Sequence, residues 1–174
     1  APTPLPAFAG SPRLHALDLG DARTALGLAG LGGSWGPVDG GESVETILSA
    51  LAAGVRACDA APAYVDAEKY LGRALAQWTG PRPIISTKVG RLYGRDAHEG
   101  NYDYSPAGMR GSVERSLAAL GIERVDLLFL HEPERVPGAE RDRVVATLRQ
   151  LQADGLARRL VLGGGFGAGW DGLL

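Results

Sequence analysis

The chain has 174 residues, enough for one domain with a sizeable core and short for two, so residues 1–174 are read as a single domain. Apolar residues make up 45% and charged residues 22%, ordinary for a globular protein, and a net charge of −2 without a long basic run argues against nucleic acid or an anionic membrane as the main partner. No apolar stretch approaches the ~20 residues of a transmembrane helix, and the opening residues lack the pattern of a signal peptide, so the expected location is the cytoplasm.

Residues 1–22 read as an irregular segment, with Pro2, Pro4, Pro6 and Pro12 excluding a regular helix over its first part. Residues 24–30 are a short buried strand that runs into the glycine-rich loop Leu31-Gly32-Gly33-Ser34-Trp35-Gly36-Pro37. Together with Gly30, such a loop could let a ligand approach the backbone closely, though a plain turn explains it equally well. A helix follows over residues 43–53, with Val44, Ile47, Leu48 and Leu51 on one face, and Gly54 ends it. Residues 55–58 form a second strand. It carries Cys58, the only cysteine, which therefore has no disulfide partner in the chain and reads as a buried structural thiol.

The second helix spans residues 66–78 and stops at Gly80-Pro81. Residues 84–88 are the third strand, and a loop of residues 89–104 follows; loops of this length are usually functional or mobile. Ser105-Pro106 is an N-cap followed by proline in the first turn, Met109, Val113, Ser116, Leu117 and Leu120 face inward, and Gly121 closes that helix. Residues 125–130 are a fourth strand and residues 140–154 a fourth helix. A fifth strand begins at residues 160–162 and meets Gly163-Gly164-Gly165-Phe166-Gly167. Strands alternating with helices imply a parallel sheet covered by helices, an α/β fold.

In such folds, chemistry collects where strands end. Asp59, Tyr64, Lys88 and His131 all fall at or just past the ends of consecutive predicted strands. Singly, each has an ordinary explanation: a turn residue, a rim aromatic, a solvated strand end and a structural histidine. The set of four at equivalent positions is much more specific. Tyrosine has an ordinary pKa near ~10, and a neighbouring ammonium is expected to pull it down towards neutral pH. Aspartate would hold that lysine charged and oriented. Histidine can hydrogen-bond a carbonyl oxygen. Such a group protonates a carbonyl oxygen, but no side chain delivers hydride, so a nicotinamide cofactor is implied.

These residues sit in stretches that resemble the aldo-keto reductases: Asp59-Ala60-Ala61-Pro62-Ala63-Tyr64, Ser86-Thr87-Lys88-Val89-Gly90-Arg91, Ser112-Val113-Glu114-Arg115-Ser116-Leu117, and Leu120-Gly121-Ile122-Glu123-Arg124-Val125-Asp126-Leu127 running on to Leu130-His131. The run Thr87 to Arg91 and His131-Glu132-Pro133-Glu134 look most like the sugar and pyridoxal dehydrogenase branch. The resemblance implies a (β/α)8 TIM-type barrel, of which about five βα units fit here, since the whole barrel takes about 250 residues. It further implies Tyr64 as general acid and base, Lys88 and Asp59 as its tuning pair, and His131 as the substrate-orienting group. NAD(H) or NADP(H) is the implied cofactor, with Gly30, Asp59, Gly164 and Gly165 as the residues near it, and the substrate is a small carbonyl compound or sugar. No metal is implied.

The sequence departs from that family at two places. Ala60 stands where threonine is usual and Val65 where glycine is usual. Gly164 and Gly165 stand where serine or asparagine usually holds the nicotinamide amide. Five strands would also leave two sheet edges for a second copy or a complementing chain to cover. The alternative reading is thus a catalytically inactive interaction module that keeps this part of the fold. A phosphate-binding loop at residues 163–168 and a metal hydrolase built on His15, His98 and His131 are weaker, because neither has the required spacing.

Overall fold

In a computed structural model, residues 24–92, 101–164 and 170 are described. Five parallel strands lie side by side in chain order: β1 (Leu26–Gly27), β2 (Ala57–Asp59), β3 (Ile84–Val89), β4 (Val125–His131) and β5 (Ala157–Gly163). The helices between them are α1 (Gly40–Ala52), α2 (Ala67–Gln77), α3 (Pro106–Leu120) and α4 (Arg141–Ala153). Sequential order with a helix in every crossover is the arrangement of a (β/α) barrel wall, and it places all strand C-termini on one side.

Local sequence accounts for most element ends. Ser105 caps α3 by accepting from the Gly108 N–H at 3.1 Å, Pro106 occupies the first turn, and Gly121 ends the helix in the left-handed region at φ 67°. Helix α1 starts three residues earlier than expected. Asp39 accepts from the Gly41 and Glu42 N–H groups at 2.7 and 2.9 Å, so the cap draws Gly40 and Gly41 into the helix despite their weak propensity. Strand β1 is shorter than the predicted 24–30. After Leu28 donates to the Asp59 carbonyl at 3.0 Å, the chain turns, with the Gly32 N–H bonded to the Leu28 carbonyl at 2.8 Å. Strand β5 begins at Ala157, earlier than predicted, and continues through Arg158 and Arg159, whose charges hid it.

The predicted 89–104 loop is not wholly irregular. Arg91 and Tyr102 form an antiparallel bridge, Leu92 N–H donates to Asn101 at 2.7 Å, and Asp103 N–H donates to Gly90 at 2.8 Å. The core lies between the sheet and the helices, where Ile85, Leu128 and Leu130 pack with Val113, Leu120 and Leu148, all fully buried. Each such side chain contributes about 1.5–3 kcal/mol on leaving water. Cys58 lies in this core, and burial pushes its thiol pKa up to about 11, which leaves it an inert packing residue.

Candidate active site

Parallel pairing sets the site by register. Asp59 lies opposite Ser86, Lys88 opposite Phe129, and His131 opposite Gly163. Because side chains alternate along a strand, Ser86 and Lys88 share one face of β3 while Thr87 points to the helices. Lys88 is 7% exposed and gives its ammonium to three acceptors: both Asp59 oxygens at 2.6 Å and the Ala60 carbonyl at 3.1 Å. Ser86 Oγ donates to Asp59 Oδ1 at 2.6 Å. Burial lowers the Lys88 pKa, opposed by the charge and hydrogen bonds of Asp59. With two carboxylate oxygens in contact, it remains an ammonium at neutral pH.

Tyr64 follows the β2 exit in a turn whose N–H bonds to the Ala61 carbonyl at 2.9 Å. Its ring meets the His131 ring edge to face, centroids 6.0 Å apart, and the Lys88 ammonium lies 5.0 Å from the Tyr64 ring centroid. Phe129 supplies a second ring 5.2 Å from that ammonium. The four strand-end residues therefore do converge.

One expectation is overturned. Lys88 was expected to pull the Tyr64 pKa down, but it is raised. Burial raises it first, the Asp59 charge adds to that, and Arg91 opposes. The physical reason is that the ammonium is matched by Asp59, so little net positive charge reaches the phenol. His131 is 7% exposed. Burial and the Lys88 charge lower its pKa to about 4, so its imidazole is neutral at neutral pH. Its Nδ1 is buried and has no hydrogen-bond partner among the described residues.

Two neighbours were missed from sequence. Glu68, in the first turn of α2, is buried and accepts from Thr87 Oγ1 at 2.5 Å, which ties the helix after Tyr64 to the strand carrying Lys88. Burial raises its pKa, opposed by the Thr87 and Ser116 hydroxyls. Glutamate in a first helical turn is common enough that nothing in the sequence singled it out. Glu132 was quoted only as part of a motif, yet its carboxylate gathers Arg91 Nη1 at 2.8 Å, Tyr102 Oη at 2.5 Å and Arg135 Nε at 2.9 Å.

The glycines assigned to a cofactor behave differently from one another. A Cβ on Gly30 would lie 2.6 Å from the Trp35 ring, so that face of the loop is covered by its own tryptophan. At the end of β5, the Gly163 carbonyl already accepts from the Glu132 N–H at 2.9 Å. A Cβ on Gly164 would meet Glu134 Oε2 at 2.7 Å and Pro133 Cδ at 3.0 Å. Gly165 lies outside the described residues. The acid–base residues thus suit the chemistry a nicotinamide cofactor requires, but the described residues at the β5 end do not build a cradle for one. Among the described residues there is no cluster of three or more metal-ligating side chains, and no helix long and apolar enough to cross a membrane.

Fold and site together define a class: a parallel (β/α) wall whose strand ends bring together a tyrosine, a lysine–aspartate pair and a histidine. The chain belongs to the aldo/keto reductase family, whose model matches residues 23–164. It is 30% identical to a D-threo-aldose 1-dehydrogenase of a Pseudomonas species, over 87% of this chain and 53% of that protein. It is 33% identical to the pyridoxal 4-dehydrogenase of Microbacterium luteolum, over 68% of this chain and 42% of that one. Among solved structures, the glycerol dehydrogenase of Gluconobacter oxydans superposes with a TM-score of 0.67 at 34% identity, over 79% of this chain and 43% of that chain. The chain spans about half the length of the curated relatives it matches. The described residues therefore correspond to five strands and four of the connecting helices of a (β/α)8 barrel.

Proposed function

We propose that this chain carries the acid–base centre of an NAD(P)-dependent oxidoreductase that interconverts a carbonyl compound (aldehyde, ketone or sugar) and its alcohol, with Tyr64 as general acid and base. The observation that carries this reading is the meeting of Tyr64 and His131, rings 6.0 Å apart, beside an ammonium held by Asp59. In the reduction direction, negative charge grows on the carbonyl oxygen. A phenol with a raised pKa is fully protonated at neutral pH and has its proton to give. The neutral His131 carries one N–H, which can hydrogen-bond the same oxygen and fix its place. Because the Lys88 ammonium matches the Asp59 charge, the phenolate left behind does not face an unpaired carboxylate, and in the oxidation direction that phenolate takes the proton back. The nicotinamide supplies or accepts hydride when bound. The similarity to an aldose dehydrogenase and a pyridoxal dehydrogenase supports a sugar or pyridoxal-like substrate.

Tyr64→Phe keeps the ring and removes the proton. Carbonyl reduction should fall by about two orders of magnitude or more, with cofactor binding intact. Undiminished turnover by that variant would remove Tyr64 from this role.

A second reading is favoured by the β5 end, where the described residues build no cradle for a cofactor: an interaction module in which catalysis is absent. β1 and β5 each have one strand neighbour among the described residues, and on this reading a second copy or a complementing chain covers those edges. Titration of the chain with NADH or NADPH, followed by nicotinamide fluorescence, separates the two. No binding together with a defined oligomer in sedimentation selects the module.

A further inference from the structure

Among the described residues, two that are not glycine adopt the left-handed region, and each directly follows a residue of the site: Val65, φ 56°, after Tyr64, and Glu132, φ 52°, after His131. Side chains are disfavoured there, and such a conformation persists where surrounding contacts over-determine it. For Glu132 those contacts can be named. Its carboxylate is shared by Arg91 from the β3 exit, by Tyr102 bridged to it, and by Arg135 in the short helical turn Pro133–Arg135. Its N–H donates to Gly163 of β5. The Tyr104 hydroxyl donates to the carbonyls of both His131 and Glu132, at 2.9 and 3.0 Å. Both peptide groups that flank the turn are thereby tied, and one residue joins the exits of β3, β4 and β5.

We propose that Glu132 is a positioning residue: its carboxylate, by drawing Arg91, Tyr102 and Arg135 together, locks the left-handed turn after β4 and so fixes the His131 imidazole against Tyr64. The proposal rests on the acid–base reading of that pair. If position 132 served only to reverse the chain, glycine would do so without strain. A glutamate held in this conformation by three side-chain donors makes sense when the donors matter. The turn also explains the glycine at 164, because the Glu132 Cα would lie 3.1 Å from a Cβ there. Burial raises the Glu132 pKa, but hydrogen bonds from Tyr102 and Arg135 and the Arg91 charge outweigh it, so the carboxylate is ionised at neutral pH and all three bonds are charge-assisted.

The decisive variant is Glu132→Gly in the full chain, which removes the carboxylate while permitting the same φ. In protein labelled at tyrosine and histidine, the nuclear Overhauser effect between the Tyr64 and His131 rings reports their contact directly. That signal is expected to fall severalfold in Glu132→Gly while the protein still unfolds in a cooperative transition. Where turnover is measurable, kcat should fall about tenfold or more with little change in KM. Glu132→Gln, which keeps one carbonyl acceptor, should recover much of the ring signal. An undiminished ring signal in folded Glu132→Gly overturns the proposal. Should that variant not fold, Tyr102→Phe removes a single donor, and an unchanged ring signal there would be equally fatal. The ring contact is read without substrate, so a chain that lacks turnover still decides the role of Glu132, separately from the catalytic reading.

Discussion

The exits of β2, β3 and β4 and the exit of β5 lie on the same side of one sheet but are built from different material. At the first three, charged and aromatic side chains hold one another: Lys88 on Asp59, Tyr64 against His131, and three donors on Glu132. At the fourth, Gly163 and Gly164 contribute backbone, and the neighbouring 132–134 turn fills the space beside Gly164. On the proposed function, the difference divides the chemistry. Proton transfer needs side chains with defined pKa values and a fixed mutual geometry, so it must be written in residue types. The β5 exit has no such groups among the described residues. It instead serves as the surface on which the Glu132 turn rests.

The comparison breaks most visibly at Lys88. Lys88→Met leaves the Asp59 carboxylate with Ser86 as its remaining side-chain donor among the described residues and removes the cation near the Tyr64 ring. Removing one partner of a fully buried pair costs about 3–5 kcal/mol; the Asp59 side chain is 33% exposed, which brings the expected loss to about 2 kcal/mol. Any carbonyl turnover should drop by about 100-fold or more, because the Asp59 charge, no longer matched, further disfavours the Tyr64 phenolate. Denaturant midpoints and initial rates check both effects. A variant as stable as the parent would mean that solvent already satisfies Asp59, and that the β2–β4 exits are no more tightly built than β5.

His131 sharpens the contrast through pH. Its imidazole protonates near its usual 6.5 in the unfolded chain but at about 4 in the folded one, because burial disfavours the charged ring. Between those values the unfolded chain binds more protons. The stability His131 contributes is therefore complete above pH 6.5 and is lost as pH falls through 4. The full swing, from 6.5 to about 4 at 1.4 kcal/mol per unit, is roughly 3.5 kcal/mol. His131→Asn should lose far less stability than the parent between pH 7 and pH 4, as urea midpoints at the two pH values would reveal. Parallel losses in the two proteins would mean that the ring titrates as an exposed histidine does, and the tight packing against Tyr64 would have to be abandoned.

Much of this was legible in the sequence because it rests on short-range rules. Apolar spacing along α1, the Ser105-Pro106 start and Gly121 end of α3, and the β/α alternation each follow from local chemistry, and the alternation alone puts Asp59, Tyr64, Lys88 and His131 on one side. What was hidden depends on contacts between distant residues. The Glu132 cluster spans 41 residues to Arg91 and 30 to Tyr102, and no periodicity reports a pairing of that kind. The sign of the Tyr64 shift was misjudged for a related reason. Sequence places a lysine near the phenol and an aspartate beside the lysine, but only geometry shows that burial of the ring and the Asp59 charge set the direction of the shift. The family likeness marked position 65 as a usual glycine. It could not say whether valine moved the backbone or endured it, and φ 56° answers that valine endures it.

That strain gives the smallest of the expected effects. A β-branched residue in the left-handed region is opposed by about 1–2 kcal/mol, whereas glycine adopts it freely. Val65→Gly should recover this cost, less the ~0.5–1 kcal/mol by which glycine loses more chain entropy on folding. Val65 is half-buried, so some apolar contact is given up as well. The net expectation is a gain of at most about 1 kcal/mol, measurable as a small rise in the unfolding midpoint. The variant also tests whether the two left-handed turns do the same work. If Val65→Gly raises stability and leaves the Tyr64–His131 ring contact unchanged, the Tyr64 turn is fixed by its backbone bonds, including Ala67 N–H to the Tyr64 carbonyl at 3.0 Å and Asp66 N–H to Gly32 at 3.1 Å. Of the two left-handed turns, the one after β4 would then be held by a side-chain clasp and the one after Tyr64 by the backbone. Loss of the ring contact would instead show that valine's stiffness itself helps to aim the phenol.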